Sequence, residues 1–131
     1  MLDQESGDTA PDDLRRRLLS ETEGIIEEFL RSPLPARLKS VDVLGREVPI
    51  LFRDRAGVTW SGACDLVYRD GRGGLVVADY KTERPGPDPA AAAERHRRQV
   101  EIYLDAFRRA LPRETIRGEI LFVRAGVSVE I

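Results

Sequence analysis

The segment Asp70-Gly71-Arg72-Gly73-Gly74 separates two runs rich in β-branched and apolar residues, Val58–Arg69 and Leu75–Lys81. A turn this rich in glycine joins neighbouring antiparallel strands, because glycine reaches the positive-φ conformations that a tight reversal needs. The turn also sets a register. If it closes with Asp70 opposite Gly74, Asp65 comes to lie opposite Asp79 on the adjacent strand. Directly opposed side chains share a face, with Cβ atoms about 5 Å apart. Aspartate is a poor strand former and is costly to bury as an ion unless it is paired, hydrogen-bonded or bound to a metal. Two ionised carboxylates at that separation repel each other, and a divalent cation between them is the natural remedy. Side chains alternate along a strand, so Lys81 projects to the same side as Asp79, while Tyr80 points into the packed face. A donor set of hard oxygens favours Mg2+ or Mn2+ over zinc. The same three charges also admit a plainer reading, a structural ion pair between Lys81 and one aspartate.

The remaining sequence places this hairpin in a larger pattern. Residues 1–10 are polar without an apolar period and are expected to form a flexible leader, with residues 11–131 as a single domain. From Pro11, the spacing of Leu14, Leu18, Ile25, Ile26, Phe29 and Leu30 predicts an amphipathic helix to Arg31. Ser32-Pro33 interrupts it, and Leu34–Lys39 suits a further helical turn. Val41–Asp54 reads as an irregular strand, and Asp54-Arg55-Ala56-Gly57 turns it into Val58–Arg69. After Leu75–Lys81, three prolines and a glycine make 82–89 a loop, and Ala90–Leu111 reads as one long helix. Gly118–Arg124 and Val127–Ile131 close the chain as a hairpin or extended pair. Helix, three strands, helix and two strands together indicate a mixed α/β (α+β) fold, a central mixed sheet flanked by helices.

Composition narrows the function further. In 131 residues there are 21 basic and 23 acidic side chains, for a net charge of −2, which excludes a uniformly basic nucleic-acid-coating protein but not a local basic stripe. Cys64 is the sole cysteine, so the chain alone can form neither an internal disulfide nor a cysteine-ligated zinc or iron–sulfur site. Together with an acidic, polar N-terminus and the lack of a run of about 18 apolar residues, this suggests a cytoplasmic protein with no membrane partner. Nearly every basic residue is arginine, and the only lysines are Lys39 and Lys81. A lysine kept in such a chain is expected where a compact, flexible ammonium is required.

The long helix carries the second group of candidates. Gln99 and Tyr103 are four apart and His96 is three before Gln99, so a continuous helix aligns them on one polar stripe. The opposite stripe, Val100, Leu104, Phe107 and Leu111, suits a core, and Tyr103 alternatively stands at its boundary with its hydroxyl in water. His96, beside Arg95, Arg97 and Arg98, is better read as a solvated member of a basic cluster than as a catalytic group.

Gly62-Ala63-Cys64-Asp65, Asp79-Tyr80-Lys81-Thr82 and Gln99-Val100-Glu101-Ile102-Tyr103 resemble the G-x-x-D, D-Y-K-T and Q-x-x-x-Y motifs of RecB-like nucleases, a branch of the PD-(D/E)xK superfamily. The likeness takes in Arg46-Glu47-Val48-Pro49 and Leu121-Phe122-Val123 and is nearest to the C-terminal nuclease domain of AddA-type helicase-nucleases. It implies a restriction-endonuclease-like core and a Mg2+- or Mn2+-dependent deoxyribonuclease, exonuclease-like, in double-strand break repair and recombination. Asp65 and Asp79 would be metal ligands, joined by the Tyr80 main-chain carbonyl, and Lys81 would position or activate the attacking water. Gln99 and Tyr103 would support the site or hold the DNA backbone. From their place on the same helix, and not from the resemblance, Arg95, Arg97 and Arg98 are candidates for DNA contact, with a solvated helix face as the alternative. The family's further ligand, often a histidine on an upstream helix, has no counterpart before His96, though Glu23 or Glu27 could substitute. The chain is therefore expected to be an excerpt of a larger helicase-nuclease. With no G-x-x-x-x-G-K-[ST] loop, its helicase motor would lie elsewhere on the same chain or on a partner subunit. The alternative is a catalytically silent nuclease-fold module that binds DNA or a helicase.

Overall fold

The computed structural model describes residues 2–131, with side chains from Pro11 onward. Helix α1 spans Leu2–Arg31 and α2 spans Leu34–Lys39. Strands β1 (Asp42–Arg53), β2 (Thr59–Arg69) and β3 (Leu75–Lys81) follow, then α3 (Pro89–Glu94), α4 (Arg97–Ala110), β4 (Ile116–Phe122) and β5 (Val127–Glu130). The strands form one five-stranded sheet in the order β1-β2-β3-β4-β5. Only β3 and β4 run parallel, and the crossover that parallel neighbours require is α3 with α4. This is the mixed α+β architecture expected, a sheet flanked by helices.

Three expectations need correction. Helix α1 begins at Leu2 and not near Pro11, so positions 2–10, expected as a flexible leader, are helical, and Pro11 sits inside the helix. A proline there gives up one backbone hydrogen bond, which is why it reads as a start signal. The helix expected over Ala90–Leu111 is two helices, broken at Arg95 and His96. The last strand pair begins at Ile116, two positions earlier than its apolar pattern suggested, because Leu75 N–H already donates to Thr115 O at 2.8 Å.

Two cores flank the sheet. On one face Cys64, Val67, Val77, Ile120 and Phe122 pack against Ala92, Ala93, Val100, Tyr103 and Leu104 of α3 and α4. On the other, Leu66, Tyr68, Val76, Ala78 and Leu121 meet Leu34 of α2 and Phe29 of α1. Most of the α1 stripe stays in solvent, Leu14, Leu18, Leu19, Ile26 and Leu30 all being exposed. Helix α2 is held by a buried polar network. Arg37 Nη2 donates to both Glu119 oxygens at 2.8 and 2.7 Å and to the Tyr68 hydroxyl at 2.6 Å, and that hydroxyl donates to Glu119 Oε1 at 2.9 Å. Burial, reinforced by the neighbouring Glu119 carboxylate, pushes the Tyr68 phenol up to about 12.

The distance of α4 from the sheet is set by Gly118 on β4. A Cβ there would stand 2.6 Å from Val100 Cγ1 and 3.2 Å from Leu104 Cδ1. Gly118→Ala should therefore lower stability by about 1–3 kcal/mol through overpacking. Gly71→Ala, with nothing within 4 Å of the new methyl, should stay within about 0.5 kcal/mol. Urea unfolding of both variants checks this, and equal midpoints would show that α4 is not seated by Gly118.

Candidate active site

The Asp70 turn closes as its glycines require. Asp70 N–H donates to Gly74 O at 2.9 Å, Asp70 Oδ1 accepts from Arg72 N–H at 2.8 Å and Gly74 N–H at 3.0 Å, and Gly73 takes a φ of 86°. The register that follows pairs Arg69 with Leu75 and Leu66 with Ala78. The next pair in that register is Asp65 with Asp79. There the ladder ends, and Asp65 Oδ2 instead accepts the Tyr80 N–H at 2.8 Å.

The break reaches β1 as well. The β1–β2 ladder pairs Arg46 with Leu66 and Val48 with Cys64, passing over Glu47 and Asp65. Leu66 lies in the α2-side core, whereas Cys64 and Val48 lie in the α4-side core, so both strands change phase together at this point. Glu47 absorbs the change with a φ of 48°, the one positive value at a non-glycine among the described residues. Such a backbone costs on the order of 1–3 kcal/mol and persists where the surroundings over-determine it.

Asp79 is 5% exposed, and Lys81 Nζ stands 2.8 Å from its Oδ2. Beyond this ion pair the buried Oδ2 has no hydrogen-bond partner among the described residues. Burial raises the Asp79 carboxyl above the ordinary carboxylate range, the adjacent Asp65 raises it further, and Lys81 opposes both. The ammonium also donates to Gln99 Oε1 at 3.1 Å, and Gln99 Nε2 donates to the Tyr103 hydroxyl at 3.0 Å. Tyr103 is 9% exposed and packs in the α4-side core, with its hydroxyl engaged by Gln99. It fits because residue 62 is glycine. A Cβ at Gly62 would lie 3.2 Å from the Tyr103 hydroxyl.

Asp65, Asp79, Lys81, Gln99 and Tyr103 thus form one connected cluster on the α4 face. A buried carboxylate oxygen partnered by a single ammonium, beside a second acid, fits a hard divalent cation; Asp65 and Asp79 supply the carboxylates. No group of three or more histidine, cysteine or acidic side chains gathers among the described residues, so neither Glu23 nor Glu27 joins them. His96 stands apart, at the helix break, with Nε2 on Glu83 Oε1. Arg95 also engages Glu83, and Arg97 bridges Glu94 and Glu101. Arg98 lies over the Trp60 ring, 5.9 Å from its centroid. Trp60 escaped the sequence analysis, although strand alternation puts it on the face of Gly62 and hence of Tyr103. The Cys64 thiol, pushed up to about 11 by burial and by Asp79 and Asp65, stays protonated at neutral pH.

A model of the PD-(D/E)XK nuclease superfamily matches residues 2–128. A search of curated proteins finds no match. Among the described residues no helix is long and apolar enough to cross a membrane.

A carboxyl whose folded-state pKa exceeds its unfolded value of 3.8 contributes stability at acid pH, and that contribution is lost as the pH rises through the folded value. At neutral pH the ionised Asp79 therefore costs the metal-free protein stability. Asp79→Asn should raise the thermal midpoint at pH 7 in chelator, with the gain disappearing below about pH 4. A lower midpoint at pH 7 would show that the attraction to Lys81 outweighs the burial cost.

Proposed function

Because this chain belongs to the PD-(D/E)XK nuclease superfamily, we propose that it hydrolyses DNA phosphodiester bonds with Mg2+ or Mn2+ held by Asp65 and Asp79. The observation that carries this reading is the buried Asp79 oxygen, which lies beside a second acid and whose one partner among the described residues is the Lys81 ammonium. Asp65 Oδ2 is committed to the Tyr80 N–H, so that carboxylate is held in one orientation. The Tyr80 main-chain carbonyl is the candidate third ligand. Bound there, the cation would neutralise phosphate charge and lower the pKa of a water molecule.

The side chains supply the rest. Lys81 positions the attacking water and stabilises charge that develops on the phosphoryl oxygens. Gln99 fixes Lys81, and Tyr103 fixes Gln99 in turn. Hydrolysis without a covalent intermediate suits the donor set, since Cys64 stays protonated and the partners of the Lys81 ammonium among the described residues are Asp79 and Gln99. The motif likeness to RecB-like, AddA-type nucleases supports an exonuclease working with a helicase motor in double-strand break repair. The lack of a third acidic or histidine side chain among the described residues favours a second reading, a silent module that binds DNA or a helicase without cutting.

Calorimetric titration with Mn2+ should show one site that Asp79→Ala abolishes. On labelled DNA, Lys81→Ala should lose at least about a hundredfold in rate, the size expected for one preorganised electrostatic group, and Lys39→Ala should cleave like the unmodified chain. Mn2+ binding without cleavage would select the silent module. Equal cleavage by Lys81→Ala would overturn the mechanism.

A further inference from the structure

Trp60 is the only tryptophan of the chain, and its indole is half-exposed. Two bonds from the preceding turn hold it. Asp54 Oδ2 accepts from Trp60 Nε1 at 2.8 Å, while Asp54 Oδ1 accepts from Val58 N–H at 2.9 Å. The ring is therefore a rigid platform, pre-oriented at little further entropic cost. It lines a recess of about 420 Å³ together with Ser61, Arg95, Arg98, Gln99 and Tyr103. Gln99 accepts from Lys81, so this one side chain links the recess to the ammonium. Arg98 covers the indole at 5.9 Å and has no carboxylate partner among the described residues, in contrast to Arg95 and Arg97. An exposed guanidinium without a partner can leave the ring for a phosphate when another π-face takes its place.

We propose that this recess is a nucleobase subsite: a base of single-stranded DNA flanking the scissile phosphate stacks on Trp60, with Arg98 on the adjoining phosphate. The assignment rests on the nuclease reading and names the form of substrate that the site takes. A base inside a duplex has both faces occupied by its neighbours, so only an unpaired or frayed strand can supply a free face. Stacking tolerates any sequence, because every base has a π-face, and the subsite therefore confers preference for single strands without preference for a particular base. Arg98 and Arg95 line the recess with the ring; Asp54 is held at the indole N–H, and Glu83 is engaged by Arg95 and His96.

Since Trp60 is the sole indole, its emission reports the subsite directly. In chelator, which prevents cleavage, an oligothymidine of about 20 nucleotides should quench Trp60 fluorescence saturably, and a blunt duplex of equal length should quench it far less. By anisotropy of a labelled oligothymidine, Trp60→Ala should bind about 5- to 150-fold more weakly, as expected for the loss of one stacked base. Trp60→Phe, which keeps a π-face, should recover most of that affinity and guards against simple misfolding of the alanine variant. DNA that binds and is cleaved while emission is unchanged and Trp60→Ala matches the unmodified chain would overturn the subsite alone. Absence of any anisotropy change with either DNA at low salt would overturn the subsite and the nuclease reading together.

Discussion

The bond from the Tyr80 N–H to the Asp65 carboxylate is the point on which the site depends. Backbone donors inside a sheet are satisfied by backbone acceptors, and a side chain takes that place only where two strands part. The β2–β3 ladder ends one pair short of the aspartates, and the β1–β2 ladder passes over the same residue of β2. Asp65 thus stands at a seam between three strands, held by its own acceptor oxygen and not by pairing. Were the turn at Asp70 to close one residue differently, every side chain of β3 would move to the other face. Asp79 and Lys81 would then face α2, away from Gln99. Site and fold share one constraint, the register of a single hairpin.

The two faces of the sheet treat buried charge in opposite ways. Toward α2, Glu119 is 4% exposed, yet its oxygens receive bonds from Arg37 and Tyr68, and Arg117 lies 3.8 Å away. Such a network is satisfied within the chain and has no capacity left for a ligand. Toward α4, Asp79 is buried to the same degree, but its Oδ2 has only the Lys81 ammonium as a partner among the described residues. A buried carboxylate left in that state is costly unless a further positive charge arrives. Equal burial with unequal satisfaction separates the acid that holds α2 on the sheet from the acid suited to chemistry.

The hairpin register and the shared face of Asp65, Asp79 and Lys81 were legible because strand alternation and a glycine-rich turn are local rules. The same rules placed Tyr80 on the packed face, where it lies against the α2-side core. The break at Arg95 and His96 was not legible, because alanines on one side and arginines on the other read as continuous helix by propensity. What ends α3 is tertiary. Glu83, from the loop after β3, engages both Arg95 and His96. Trp60 was missed for a related reason. Its role emerges only from α4, whose Arg98 and Tyr103 are distant in sequence and meet it across the recess. The exposed stripe of α1 shows the converse limit: periodicity identifies an amphipathic helix but not what, if anything, covers it.

The choice of lysine at position 81 then has a physical reason in a chain whose basic residues are otherwise arginine apart from Lys39. The pocket presents Asp79 Oδ2 at 2.8 Å and Gln99 Oε1 at 3.1 Å to a single point between a strand and a helix. An ammonium is a compact charge with rotatable donors and can serve two oxygens in different directions from that point. A guanidinium is planar and forked; it would pair with Asp79 in a bidentate arrangement and satisfy the oxygen that a cation would need. On the other face Arg37 engages both oxygens of Glu119 through Nη2, and saturation of that carboxylate holds a helix in place. Lysine contacts Asp79 through one oxygen and does not clamp both, so the site keeps room for a cation and retains the group that would meet the phosphate.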